Sequence, residues 1–221
     1  MDRLDERPSK VTETVAEAVE IGLAAYVAGS LPRALHALFE SHLAISPTHR
    51  PLVEHLECAA GYLLDFEPPA EIDGREAVLA RIFAAEAEPE ASYELSCPLP
   101  EPVPTPISHL LHLGGNTFTW RDFPEGRNNC AHGIIDGHEV RIGCAKPGIA
   151  IPDHTHDGDE FLLVVSGDIV TEAGQLRAGD IGFHPGGMPH SGKIVGSDDC
   201  VYFVVVAPGI VVPTALRMAG D

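Results

Sequence analysis

Cysteine is sparse in this 221-residue chain and never paired in sequence. Cys58, Cys97, Cys130, Cys144 and Cys200 are odd in number, scattered, and form no Cys-X-X-Cys unit, which excludes a disulfide framework and a thiolate zinc knuckle. Basic side chains are equally scarce. Fourteen Lys and Arg face 33 Asp and Glu, a formal charge of -19, and phosphate repulsion excludes a direct grip on nucleic acid. Long apolar runs are missing too. The best candidate, Val15 to Leu31, is broken by Glu17, Glu20 and Gly29, and no apolar stretch of export type follows the charged Met1 to Lys10. The expectation is a cytoplasmic protein with no membrane contact.

What is present divides near residue 100. The segment Pro98-Leu99-Pro100-Glu101-Pro102-Val103-Pro104-Thr105-Pro106 carries proline at every second position, which suits an extended spacer and forbids helix or central strand. Residues 1–95 are therefore expected to form one unit, 96–106 a linker and 107–221 a second unit. Periodicity before the linker is helical. Val15, Ala18, Val19, Gly22, Leu23 and Tyr26 make one stripe, closed by Gly29. Ser30 and Pro32 start a second helix with Leu31, Leu35, Leu38, Phe39 and His42 on its apolar side. Thr48 is expected to cap a third helix carrying Leu52, Leu56, Ala59 and Leu63, and a fourth from about Asp73 to Phe83 turns Val78, Leu79, Ile82 and Phe83 inward. Such a small bundle has a thin core and calls for a partner or a metal to steady it. After the linker the texture changes to short β-rich runs, such as Thr117–Trp120, Glu139–Ile142, Phe161–Val165 and Tyr202–Val206, with glycine-rich turns between them. The fold class is α+β: a small helical bundle, then an antiparallel β-barrel.

The most informative stretch lies in that second unit. It reads Gly148-(five residues)-His154-Thr155-His156-(three)-Glu160-(six)-Gly167, then Gly179-(five)-Pro185-Gly186-Gly187-(two)-His190. Two histidines one residue apart on extended chain share a face, Glu160 keeps their parity beyond a bend at Asp157-Gly158, and His190 arrives from another strand. Three imidazoles and a carboxylate suit zinc, iron, manganese or nickel. This spacing resembles the two motifs of the cupin superfamily, antiparallel barrels of the jelly-roll type, with Ile194 where many cupins carry an asparagine.

The helical half resembles a second known pattern. Leu23-Ala24-Ala25-Tyr26-Val27-Ala28-Gly29-Ser30-Leu31, followed by Ser41-His42-Leu43-Ala44-Ile45-Ser46-Pro47-Thr48-His49-Arg50, is similar to the amino-terminal domain of ChrR-type anti-sigma factors of the zinc-binding anti-sigma family. In that family a helical domain binds an extracytoplasmic-function sigma factor, and a carboxy-terminal cupin receives a stress signal, often oxidative, in the domain order found here. The resemblance implies a sigma factor as protein partner and His154, His156, Glu160 and His190 as the cupin zinc ligands. The family's helical zinc motif, His-(three)-Cys-(two)-Cys, reads here His42-(three)-Ser46-(two)-His49, with Glu17 where a further histidine is expected. Serine is a very poor zinc ligand, so Glu17, His42 and His49 could form only a weak three-ligand site, with His55 or Cys58 as substitutes; otherwise His42 is a buried, hydrogen-bonded core residue. A metal-dependent cupin enzyme, a dioxygenase or isomerase acting on a small polar molecule, is the competing function, with His184 and His138 as residues that could line its pocket or support the ligands.

Overall fold

The computed structural model describes residues 10–69, 73–84, 101–114, 118–122 and 128–207, with backbone alone for 10–13, 114, 119–122 and 128–130. Among these residues five helices precede ten strands: α1 Lys10–Val27, α2 Arg33–Ile45, α3 Arg50–Leu64, α4 Arg75–Ala84 and α5 Thr105–Gly114, then β1 Thr119–Asp122, β2 Asn128–Ile135, β3 His138–Ala145, β4 Ala150–His154, β5 Asp159–Ser166, β6 Asp168–Thr171, β7 Gly174–Arg177, β8 Ile181–His184, β9 His190–Val195 and β10 Cys200–Ala207. The expected α+β class is what the chain adopts. The strands, all antiparallel where paired, form a six-stranded sheet in the order β1-β2-β3-β10-β5-β8 and a four-stranded sheet in the order β4-β9-β6-β7. The β half is thus a jelly-roll sandwich of two ladders rather than one continuously closed barrel.

Strands β5 and β10 are buried along almost their whole length, and their sequences are correspondingly apolar without alternation. Their two faces serve different cores. Leu162 and Val164 of β5, with Tyr202, Val204 and Val206 of β10, pack with Ile169 and Ile194 of the four-stranded sheet. Phe161, Leu163 and Val165, with Val201, Phe203 and Val205, point the other way and join a cluster made largely by the helices. The helical half therefore covers one side of the six-stranded sheet, and the two halves share one core across the proline-rich segment.

Helix α2 lies at the centre of that arrangement. It buries Ala34, Leu35, Ala37, Leu38, Phe39 and His42 and packs against α1, α5, β5 and β10. Phe39 meets Phe161 edge-on, with ring centroids 5.7 Å apart. The space for Phe39 comes from Gly22 of α1, where a Cβ would fall inside the phenyl ring. At the start of α2 the Arg33 guanidinium donates two hydrogen bonds to Asp136 in the β2–β3 turn, at 2.6 and 2.5 Å. Near its end, His42 and Ser46 lie against Gly179 between β7 and β8.

Several local expectations are corrected. Thr48 does not cap α3: His49 holds the N-cap position without a side-chain bond, Pro51 occupies the first turn, and the Thr48 amide donates instead to the Ser46 hydroxyl. Of the α3 stripe, Leu52 and Leu56 are half-buried and Ala59 and Leu63 are exposed, leaving Val53 as the fully buried residue. Helix α4 buries nothing, and Ile82 and Phe83, expected inward, are exposed. The core that the helices complete belongs to the sheet, so among the described residues nothing closes over the far side of α3 and α4. The extended spacer also ends sooner than its prolines suggested. Thr105 and Pro106 already belong to α5, whose first turn tolerates a proline because its amide would be unbonded anyway. Residues 85–100 lie outside the described residues.

Replacing Gly22 with alanine is expected to displace Phe39 and cost about 1–3 kcal/mol, read as a lower thermal midpoint of the full chain; Gly61→Ala, where a Cβ meets nothing, should not lower it.

Candidate metal centre

Four residues singled out by spacing converge at one end of the sandwich. His154 closes β4, His156 follows it before the bend at Asp157-Gly158, Glu160 enters with β5, and His190 opens β9. His154 and His190 are register partners across β4 and β9, so the smaller sheet supplies two imidazoles and the larger sheet the carboxylate. One donor atom from each of the four lies within 4.8 Å of the others. Ring centroids are 4.3 Å apart for His154 and His190, 4.8 Å for His154 and His156, and 5.1 Å for His156 and His190. Glu160 and His190 are buried; His154 and His156 are half-buried.

The turns that hold these residues depend on glycine. Gly167 has φ +73°, and a Cβ there would lie 2.8 Å from the Asp199 carbonyl oxygen. Gly187, at φ +80°, donates its amide to the His156 carbonyl at 2.6 Å, tying the turn before His190 to the segment carrying His156. Asp159, wholly buried, accepts the Gly186 amide at 3.0 Å and anchors the same turn.

Hydrogen bonds decide which ring nitrogens face the cup. His154 Nδ1–H donates to the Pro152 carbonyl at 2.9 Å and His190 Nδ1–H to the Met188 carbonyl at 3.1 Å. Each Nε2 then carries its lone pair, the tautomer required of a metal ligand. His156 Nε2 lies 2.7 Å from Glu160 Oε2 and His190 Nε2 3.3 Å from Oε1, yet both nitrogens are buried without a hydrogen bond of acceptable geometry. Three ring nitrogens and a carboxylate gathered this closely, in a largely buried cup, are a donor set that fits a divalent cation. Burial alone would raise the Glu160 carboxyl, but His156, His184 and His190 reverse this and hold it well below the usual range. Burial pushes His190 down, but Glu160, the Met188 carbonyl and Glu172 together leave it above its ordinary value; His154 is lowered by burial.

A fifth residue adjoins this group. His184 of β8, one of the two histidines that the sequence offered as lining the pocket or supporting the ligands, is the register partner of Glu160 and is buried. His138 lies elsewhere, in the β2–β3 hairpin, with Nδ1 bonded to the Asp136 carbonyl.

The helical triplet is only partly assembled. His42 is buried, donates Nδ1–H to the Gly179 carbonyl at 2.6 Å, and accepts at Nε2 from His49 Nδ1–H at 2.9 Å. Burial lowers its pKa, in keeping with a neutral ring. Glu17 is exposed on α1 and joins no metal-competent group among the described residues. His55 Nδ1 is bonded to the Pro51 carbonyl of its own helix, and Cys58 is exposed.

Residues 113–209 match the family model described as the ChrR cupin-like domain. The anti-sigma-E factor ChrR of Cereibacter sphaeroides is 26% identical over 186 residues, covering 81% of this chain and 83% of that protein. The crystal structure of Rhodobacter sphaeroides SigE in complex with the anti-sigma ChrR aligns with a TM-score of 0.63 and 25% identity, over 84% of this chain and 94% of that one. The chain is ChrR-like. Its likeness to these two covers more than four-fifths of the chain and so spans both halves.

For the metal-free ChrR-like chain, the linkage signs are opposite for the two charged partners. Glu160, with a folded pKa below 4.5, stabilises above that pH and loses the contribution as pH falls through its folded value. His190, raised above 6.5, stabilises below that pH and loses the contribution as pH rises through its folded value. Stability from the pair should therefore peak between 4.5 and 6.5. Glu160→Gln should remove the peak, at a cost of about 1–3 kcal/mol, in chelator-treated protein melted across that range.

Proposed function

We propose that this chain is an anti-sigma regulator that works in the cytoplasm. Its helical half, residues 1–95, binds an extracytoplasmic-function sigma factor; residues 96–106 are a proline-rich connection; and residues 107–221 form the cupin domain that senses a signal. No helix among the described residues is long and apolar enough to cross a membrane. The observation that carries partner binding is the uncovered apolar surface of α3 and α4. Tyr62, Leu63, Leu64 and Phe66 at the end of α3, and Ile82 and Phe83 of α4, are all more than 60% exposed. A concentration of large apolar side chains on an otherwise acidic half is what a protein interface leaves when its partner is removed. Residues 1–100 hold 18 acidic and 7 basic side chains, a balance suited to a basic partner. The similar ChrR was crystallised with SigE, which gives the class of partner.

In the cupin domain His154, His156, Glu160 and His190 are the proposed ligands of one divalent metal, zinc first among the candidates. The fit rests on the convergence of three imidazole nitrogens and one carboxylate within 4.8 Å of one another. Bound there, the metal would tie the two sheets together and give the domain a centre whose loss or change can be sensed. A second zinc at His42 and His49 is not proposed, since His42 already spends both nitrogens on Gly179 and His49.

Two measurements test this. Full-length protein co-expressed with each extracytoplasmic-function sigma factor of its own cell should form a one-to-one complex with one of them and silence its transcription. Leu64→Glu combined with Phe83→Glu should weaken that complex at least about tenfold while leaving the thermal midpoint unchanged. A chain that captures none of these sigma factors would overturn the regulatory reading. Elemental analysis should find a single metal ion per chain, absent after His156→Ala or His190→Ala; metal retained in both variants would remove these residues as ligands.

A further inference from the structure

His184 belongs to neither spaced motif, yet its environment is specific. It sits opposite Glu160 across β5 and β8, and its Nδ1–H donates to Glu160 Oε1 at 3.1 Å. Its ring stacks on His190 with centroids 4.1 Å apart and planes 5° from parallel. Its side chain is 10% exposed, and Nε2 is buried without a partner, so the ring is held there at a desolvation cost that nothing on its other side repays. Glu160 Oε2 faces His156 Nε2 at 2.7 Å and is not engaged by His184.

We propose that His184 is a positioning residue of the metal centre, which occupies Oε1 of Glu160 so that the carboxylate presents a single oxygen, Oε2, to the ion. The inference rests on the cup being a metal site. A carboxylate free at both oxygens can bind a cation through one or both, and its plane can rotate; a donor fixed on one oxygen removes that choice. The stack against His190 adds a second restraint, limiting rotation of a ligand ring whose far side is already pinned by the Met188 carbonyl. His184 thus acts on two ligands while contributing none itself.

Two substitutions separate the donor from the ring. His184→Asn keeps an N–H at the position of Nδ1 and loses the stacked ring; His184→Phe keeps a stacking ring and loses the donor. Zinc affinity, measured on the full chain by competition with a chromogenic chelator, should fall about 10–100-fold in His184→Phe and by no more than about threefold in His184→Asn. The visible d–d spectrum of the cobalt(II)-loaded protein, which reports the number and arrangement of donors, should change in His184→Phe and match wild type in His184→Asn. Nitrogen-15 NMR of wild-type, zinc-loaded protein should show His184 protonated at Nδ1 and not at Nε2, a readout independent of whether either variant folds. Wild-type affinity and spectrum in His184→Phe, equal losses in both variants, or an Nε2–H tautomer would each overturn the proposal. Wild-type protein that takes up neither zinc nor cobalt would overturn the metal reading itself, and this inference with it, a result distinct from the others because it appears before any substitution is made.

Discussion

A single carboxylate buried among imidazoles organises the cupin half. Glu160 comes from the larger sheet, His154 and His190 from the smaller, and His156 from the segment between them. Burial by itself would favour the protonated carboxyl, and hydrogen bonding with His156, His184 and His190 reverses that and lowers its pKa. Each surrounding ring has a reason for its orientation, in the carbonyls of Pro152 and Met188 or in the carboxylate itself. The turns that bring the rings in are the ones that need glycine. Chemistry and fold meet here, since the residues that close the mouth of the sandwich are the same ones that gather lone pairs.

Much of this was legible because cupin motifs are local. Spacing alone brought His154, His156, Glu160 and His190 together, since parity along extended chain and the bend at Asp157-Gly158 are properties of short segments. The continuous apolar texture of Phe161–Val165 and Tyr202–Val206 likewise announced central strands. What could not be read was tertiary. His184 faces Glu160 through a strand pairing that no local rule specifies, so the sequence could offer it only on equal terms with His138, which lies in the β2–β3 hairpin. The inward faces assigned to α3 and α4 assumed a bundle closing on itself. The helices close instead on the outer side of a sheet more than 100 residues further along the chain, which leaves Ile82 and Phe83 uncovered.

The same long-range packing explains how the helical half stands with a degenerate metal motif. Where a helical zinc site would bring the end of α2 and the start of α3 together, this chain has Ser46 and an imidazole pair. His49 bonds to His42, and His42 bonds to Gly179 of the β half. A backbone carbonyl of the sandwich and a neighbouring ring do the work of cross-linking. Gly179 serves twice, since a side chain there would strike Ser46. The glycine that spaces the second cupin motif is also the seat of a helix end.

Helix α2 touches the β half at three places along its length: Arg33 on the β2–β3 turn, Phe39 on β5, and His42 with Ser46 on the turn before β8. Each fastening opposes a different motion: Phe39 in its socket resists rolling, and the His42 bond to Gly179 resists lifting of the buried end, while the exposed Arg33–Asp136 pair holds the other end only weakly. Phe161, next in sequence to Glu160 on the opposite face of β5, places the middle fastening one peptide away from the cup.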